Sequence, residues 1–323
     1  MIEEKIIEFL KKKSGYVSGE DLSNHLRISR QALWKHIQNL RELDYDIVAV
    51  PHLGYQLLSV PDRMLPFEVT DGLLTRFIGR KLYYFESVSS TMDIAVKLGM
   101  DNAPEGSLVV AETQTKGRGR LSRQWHSPKY RGLYFSILLR PRFLLNETPL
   151  LTLLSAVSVC EGVKEATGLG CRIKWPNDIL LGNKKVGGIL TELNAEADEM
   201  RFVAIGIGIN VNNDKGSLFE GSVSLREHAG EEISRIGLLQ KILKSLEDNY
   251  LLLESRGGQP IIQKWRAFNT TIGRRIKVVS HHRHSEGIAV DIDKDGSLLL
   301  KSESGRTERI TAGDVTHCRH HQL

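Results

Sequence analysis

Over the first forty positions apolar residues recur three and four apart, and from about residue 47 they also recur in short runs. The chain therefore reads as a helical front followed by mixed helix and strand. Ile2, Ile6, Phe9 and Leu10 put an apolar stripe on a first helix. Ser18-Gly19-Glu20-Asp21 has capping-box spacing and opens a short second helix buried by Leu22 and Leu26. Arg27-Ile28-Ser29 is a turn, with Ser29 as N-cap of a third helix whose buried face is Leu33, Ile37 and Leu40. Runs at 47–50 and 55–58, separated by Pro51-His52-Leu53-Gly54, predict a β-hairpin wing. Residues 1–60 thus predict a winged helix-turn-helix, and 59–66, with Pro61 and Pro66, a linker.

Beyond the linker the pattern predicts strands at 83–86, 107–111, 132–139, 172–175, 179–181, 186–193 and 202–209. Helices are expected at 93–99 (capped by Ser90), 149–167 and 233–253. This is an α+β arrangement with a mixed or antiparallel sheet. No glycine cluster completes a dinucleotide fingerprint and no Walker A sequence is present. From residue 271 the pattern turns all-β, with strands at 275–279, 286–292 and 297–301 around a turn at Lys294-Asp295-Gly296. The fold class is α+β multidomain: a winged helix-turn-helix at 1–60, a central α/β domain with a mixed sheet at 67–268, and an SH3-like barrel at 270–323.

Composition narrows the setting. A chain of 323 residues, 41% of them apolar, supports two or three globular domains. No apolar run approaches the roughly 20 residues that cross a bilayer, and the N-terminus has no secretory pattern. Cys160, Cys171 and Cys318 fit neither a disulfide framework nor a zinc ribbon, so a reducing cytoplasm is expected and no membrane partner. The histidine-rich stretch His281, His282, His284, His317, Cys318, His320 and His321 is read as solvated, not as a metal site. The net charge of +5 permits an anionic partner. Within residues 1–60 eight basic and eight acidic residues balance, but every charged side chain from Arg27 to Arg41 is positive. The exposed face of the third helix carries Ser29, Arg30, Gln31, Trp34, Lys35 and Gln38. It has donors for base edges at its N-terminal end and cations for phosphates along it, as a recognition helix for operator DNA requires. A helical protein-interaction module is the alternative.

The stretch Lys116-Gly-Arg-Gly-Arg-Leu-Ser-Arg-Gln-Trp125 makes poor helix and poor strand. Gly117 and Gly119 free the backbone, and Arg118, Arg120 and Arg123 bring charged planar forks suited to carboxylate and phosphate. Downstream stand Lys174-Trp175-Pro176-Asn177-Asp178, then Lys185-Val186-Gly187-Gly188-Ile189-Leu190. Ser89-Ser90-Thr91 comes earlier and Gly206-Ile207-Gly208-Ile209-Asn210 later. In this order the set resembles the catalytic domain of the biotin–protein ligases. With the helix-turn-helix in front, it resembles the bifunctional ligases that also repress biotin genes.

That resemblance implies an ATP-dependent ligase. Biotin's carboxylate attacks the α-phosphate of ATP, giving biotinyl-5′-adenylate and pyrophosphate, and a lysine of a biotin carboxyl carrier protein then takes the biotinyl group. It assigns catalysis to Lys185, Arg118, Arg120 and Asp178. Lys185 would bridge carboxylate and α-phosphate, and Asp178 would orient the acceptor lysine or hold a water on Mg2+. Biotin contacts fall on Ser90, Thr91, Met92, Gln114, Gly117, Arg118, Gly119, Arg120, Lys185 and Gly188. Nucleotide contacts fall on Arg120, Arg123, Trp125, Asn177, Lys185 and Asn210. Two departures stand out: Met92 occupies a position where the family often has Asn, and residues 221–225 lack the tryptophan that covers the adenylate in repressor-type members.

The arginine loop is expected to be disordered when empty, because three arginines repel and glycines raise the ordering cost. The resemblance further implies homodimerisation along a sheet edge shared with the carrier, taken here as 188–193. Two other readings remain. A lipoate or octanoate ligase is disfavoured by the Gly-Arg-Gly-Arg loop and the DNA-binding front. A biotin-sensing repressor without chemistry is disfavoured by Lys185, the arginines and Asp178.

Overall fold

A computed structural model describes residues 2–142, 145–196, 199–280 and 283–317. The chain divides into two compact units, Met1–Arg63 and Met64–Leu323.

The first unit is a winged helix-turn-helix. Helices α1 (Ile2–Lys11), α2 (Gly19–Leu26) and α3 (Arg30–Glu42) precede a hairpin, β1 (Asp46–Val50) and β2 (Gly54–Ser59). The caps follow the sequence: Ser18 Oγ accepts from the amides of Glu20 and Asp21, and Ser29 Oγ from Ala32. Ile6, Leu22, Leu33, Ile37 and Leu40 form the core. Gln31, Trp34 and Lys35 face solvent, Trp34 with 58% of its surface exposed. Two acids nevertheless reach α3: Glu20 pairs with Arg30 at 2.6 Å and Glu3 contacts His36 Nδ1 at 2.8 Å.

In the second unit α4 (Pro66–Thr70) leads to β3 (Leu82–Phe85), α5 (Thr91–Met100), β4 (Leu108–Ala111) and β5 (Leu133–Leu139). There follow α6 (Thr148–Thr167), β6 (Arg172–Lys174), β7 (Asp178–Leu181), β8 (Lys184–Glu196) and β9 (Glu199–Ile209). The helices α7 (Leu225–Ala229), α8 (Arg235–Arg256) and α9 (Gln259–Phe268) come next, then β10 (Arg275–Ser280), β11 (Arg283–Ile292), β12 (Leu298–Lys301), β13 (Thr307–Ile310) and β14 (Asp314–His317). The helices at 66–70, 225–229 and 259–268 and the strands at 307–310 and 314–317 are additions to the sequence reading.

The larger sheet runs β3-β4-β5-β9-β8-β7-β6 and is mixed, since only β3 and β4 are parallel. One of its faces is covered by α6 and α8 in an apolar core that continues into the C-terminal strands through Ile276, Val278, Leu298 and Leu300. Trp175 belongs to this core, 1% exposed, with Nε1 donating to the Gly296 carbonyl; the Trp175–Pro176 peptide is cis. The C-terminal strands pair as a five-stranded antiparallel sheet, β13-β12-β11-β10-β14, with β13 and β14 at its edges.

The edge-strand expectation for 188–193 holds only in part. β8 has β9 along one side from Gly187 to Glu196, and β7 along the other from Lys184 to Gly188. It starts inside the sheet and, among the described residues, has no strand on that second side beyond Ile189. The reason is length: β7 has four residues and β8 thirteen. No helix among the described residues is long and apolar enough to cross a membrane. Of the histidine-rich stretch, His281, His282, Cys318, His320 and His321 lie outside the described residues. Among the described ones no group of three or more His, Cys, Asp or Glu is placed to hold a metal.

Candidate active site

Above the larger sheet lies a cavity of about 360 Å³. Its floor is β8 and β9, where three glycines leave the sheet bare. A Cβ on Gly206 would lie 2.9 Å from Met92 Cε, and one on Gly208 2.6 Å from the Trp125 indole. One on Gly188 would lie 3.3 Å from Lys185 Cε. The alternate residues of β9, Ile205, Ile207 and Ile209, point into the core. The period-two glycine–isoleucine pattern therefore makes one face a packing surface and the other a ligand floor.

At one end, a short polar chain is already oriented. Gln114 Oε1 accepts from Thr91 N at 2.8 Å and from Thr91 Oγ1 at 3.1 Å, and its Nε2 donates to Ser127 Oγ at 3.2 Å. Thr91 Oγ1 lies 2.9 Å from Ser136 Oγ. Ser90 caps α5 by accepting from Met92 N, and both Ser90 and Thr91 are buried. Met92 fills the space over Gly206 with its methyl, an apolar contact at this end.

The other end is cationic. Lys185 Nζ lies 2.5 Å from Asp178 Oδ1 and 5.8 Å from the centre of the Trp125 ring, while Lys174 Nζ is 3.3 Å from Asp178 Oδ2. Arg120 donates to Asn177 Oδ1 and to the Gly313 carbonyl, each at 3.3 Å. Burial pulls its guanidinium below the usual range, and Asp314 and Asp178 pull it back up. Asn177 in turn donates from Nδ2 to Ile189 O at 2.8 Å, tying the arginine loop to β8.

In the loop at 116–125 two of the three arginines are paired with acids. Arg118 sits on Asp93 of α5 at 2.5 Å and on Glu192 of β8 at 3.1 Å; Arg123 pairs with Asp314 of β14. Burial opposes the Arg118 charge, but its hydrogen bonds to Asp93 and Glu192, with the charges of both carboxylates, more than offset this and the guanidinium pKa is raised. Backbone hydrogen bonds from Gly119 N to Arg123 O and from Trp125 N to Gly117 O close the loop on itself. Its tip, Leu121 and Ser122, takes positive φ, sparsely populated for non-glycine residues. Mutual repulsion, the reason given for disorder, is thus answered by acids that lie far away in sequence.

Most sequence-selected residues line the cavity: Ser90, Thr91, Met92, Gln114, Arg118, Gly119, Arg120, Arg123, Trp125, Asn177, Asp178, Lys185 and Gly188. Gly117 and Asn210 do not. Gly117 is packed behind it, where a Cβ would come within 2.7 Å of Trp125 O. Asn210 is buried beneath, donating from Nδ2 to Val223 O and accepting from Leu225 N through its own carbonyl. It anchors the segment around Val223 and Leu225.

Sequence reading missed Ser136, Lys174, Phe219, Ser222 and residues 314–316, all of which line the cavity. Phe219 lies just before the 221–225 stretch and borders the cavity. It is 56% exposed, and its ring is 6.2 Å from that of His126, whose Nδ1 meets Ser217 O at 2.6 Å. The segment is fixed by Lys185 N donating to Gly221 O and Val223 N to Lys185 O, both at 2.9 Å. A lone aromatic in a polar run was the one available signal.

With this geometry in place, known proteins are informative. The pattern of the Biotin/lipoate A/B protein ligase family matches residues 84–210, an HTH domain matches 3–56, and the Biotin protein ligase C terminal domain matches 271–317. The chain is 43% identical over 304 residues to the bifunctional ligase/repressor BirA of Bacillus subtilis, covering 93% of each. It is 31% identical to BirA of Escherichia coli, covering 88% of each. Among solved structures, the biotin protein ligase from Aquifex aeolicus in complex with biotin and ATP superposes with a TM-score of 0.64 at 32% identity. That match covers 74% of this chain and 99% of the other.

Proposed function

The chain belongs to the bifunctional biotin–protein ligase and repressor family, and from that premise we propose how its own residues divide the work. It makes biotinyl-5′-adenylate from biotin and ATP and transfers biotin to a lysine of a biotin carboxyl carrier protein. It also represses biotin genes through the front helix-turn-helix. The observation that carries the site assignment is convergence. Arg118, Arg120, Asp178 and Lys185, up to 67 positions apart in the chain, meet in one 360 Å³ cavity whose far end holds the Thr91–Gln114–Ser136 chain. A neutral, donor- and acceptor-rich end suits a ureido ring, and a cationic end suits a carboxylate attacking a phosphate.

The nucleotide side is read as Arg120, Arg123, Asn177 and Trp125, covered by Phe219 in place of a tryptophan. Trp125 Nε1 is buried with no acceptor among the described residues, a donor that a bound base would satisfy. Mg2+ enters as the Mg·ATP substrate, since it is commonly held by one or two carboxylates plus phosphates. We read the C-terminal sheet as an SH3-like barrel and the chain as three folding regions, 1–60, 67–268 and 270–323, in a cytoplasmic protein. Homodimers would form by pairing the free side of β8 beyond Ile189, an exposed row of backbone donors and acceptors. Adenylate favours that pairing by holding the arginine loop closed, and the carrier competes for the edge. Sedimentation with and without biotin plus ATP tests this; equal dimerisation in both states counts against it.

Incubation with ATP, biotin, a carrier domain and a bystander protein tests the chemistry. In the Arg120→Ala variant the loop loses its ties to Asn177 and Gly313, so adenylate is expected to form slowly and to escape. Biotin then appears on bystander lysines by streptavidin blot. A variant that labels only the carrier, at the wild-type rate, removes Arg120 from the site.

For DNA, Lys35→Ala is expected to weaken operator binding and to lower the salt slope by about one. Trp34→Ala is expected to reduce discrimination between operator and unrelated DNA. Titrations at several salt concentrations read both, and unchanged slopes and ratios would move the interface away from α3.

A further inference from the structure

Lys174 lies in the cavity lining but has no role in the reading above. It ends β6, and its partner across the β6–β7 turn is Asp178, the first residue of β7. Lys185 reaches the same carboxylate from β8. Each oxygen of Asp178 thus has its own ammonium, Lys185 on Oδ1 at 2.5 Å and Lys174 on Oδ2 at 3.3 Å. The side chains of Asp178 and Lys174 are 20% and 26% exposed, so water screens this pair only partly. Arg120, from the loop, is the further charge that acts on Asp178; Asp314 of β14 faces Arg120 and Arg123.

The two lysines have different prospects once reactants bind. In the proposed mechanism Lys185 turns to the biotin carboxylate and α-phosphate, and Asp178 Oδ1 loses its ammonium. Lys174 borders the end of β6 and has no other ion-pair partner among the described residues, so nothing draws it from Oδ2.

We propose that Lys174 is a positioning residue for the transfer step, keeping Asp178 a carboxylate with Oδ1 turned to the acceptor lysine after Lys185 has moved away. This rests on the reading of Asp178 as the group that meets the acceptor. The acceptor arrives as an ammonium and is not nucleophilic until it gives up a proton, which Asp178 Oδ1 takes. The amine nitrogen then bonds to the acyl carbon, and the bond from that carbon to the phosphate oxygen breaks with its electron pair leaving on AMP. The second proton on nitrogen goes to solvent. Without Lys174 the carboxyl would lose the positive charge that favours its ionised form, and would be freer to rotate.

The test uses full-length protein loaded with preformed biotinyl-adenylate, comparing wild type with Lys174→Met, Lys174→Arg and Asp178→Asn. Transfer to a carrier domain is followed from pH 6 to 9. Capture of the bound adenylate by hydroxylamine, whose amine is already neutral near pH 7, runs in parallel. For Lys174→Met, carrier labelling is expected to fall about tenfold at pH 7, with the acid limb of its pH profile moved up by about one unit. Hydroxylamine capture should not fall, which also establishes that the variant is folded and loaded. Lys174→Arg should restore the profile. If Lys174→Met instead raises the KM for ATP in adenylate synthesis while transfer keeps its wild-type profile, Lys174 is a phosphate ligand and the proposal is overturned. If Asp178→Asn abolishes the acid limb but Lys174→Met leaves it in place, the reading of Asp178 stands and only this proposal falls. If Asp178→Asn changes nothing, the reading of Asp178 falls first.

Discussion

Lys185→Ala is expected to slow biotinyl-adenylate formation by about 10²–10³-fold, the usual effect of removing one preorganised donor from a developing anion. The reason is geometric. Lys185 is the second residue of β8, and both its N–H and its carbonyl are held by the 221–223 segment. Its side chain runs past Gly188 to place Nζ at Asp178 and over Trp125. No other lysine enters the cavity from that strand: Lys184 is on the opposite face of the pleat and exposed. Two anions must approach each other there, and a charge held in place beforehand lowers the barrier without being reorganised during the reaction. Lys185→Arg keeps the charge but is longer and planar, and should recover only part of the rate. Pyrophosphate release with saturating biotin and ATP measures it. An alanine variant within about tenfold of wild type would mean that the arginines carry the step.

The largest stability effect is expected away from the cavity, at Glu112. Glu112 and Arg235 form an ion pair at 2.9 Å with both side chains fully buried. Glu112 Oε1 also accepts from Met64 N at 2.7 Å, and Arg235 donates to Gly132 O at 3.2 Å. Glu112→Ala removes the counter-charge, leaves the guanidinium in a dry site and orphans the Met64 amide. Breaking one partner of such a pair costs about 3–5 kcal/mol, which corresponds to a fall in melting temperature on the order of 10 °C for a unit of this size. Thermal and urea unfolding of the full chain read the change. A loss below about 1 kcal/mol would show that Arg235 finds another partner. The same carboxylate ties the start of the second unit to the strand leading into Gln114 and the arginine loop. A secondary loss of biotin affinity is therefore expected.

Much of this was legible in the chain. Serine caps, the stripes of α1 to α3 and the Pro-His-Leu-Gly hairpin depend on neighbours two to four residues away, and those spacings survive folding. The glycine–arginine loop, the Lys-Trp-Pro-Asn-Asp block and Lys185 were equally readable, because the residue types needed for anion chemistry are few and rarely occur together. Asn210 shows where such reading stops. Two glycines before an asparagine suggest a ligand contact, yet the side chain points down and holds Val223. Ser136 and the contribution of residues 314–316 were invisible for the same reason, and Phe219 was marked only as a lone aromatic in a polar run.

The sequence alone determined most of the element types, the order of the regions and the exposed, cationic face of α3. Only the tertiary structure decided which acids answer Arg118 and Arg123, that Lys174 and Lys185 share Asp178, and that β8 is internal at its start and, among the described residues, unpaired on one side beyond Ile189. Local periodicity records which side of an element is apolar. Partners across a cavity are chosen by how layers pack, and that choice is spread over contacts between residues as much as 193 positions apart, as between Arg120 and Gly313.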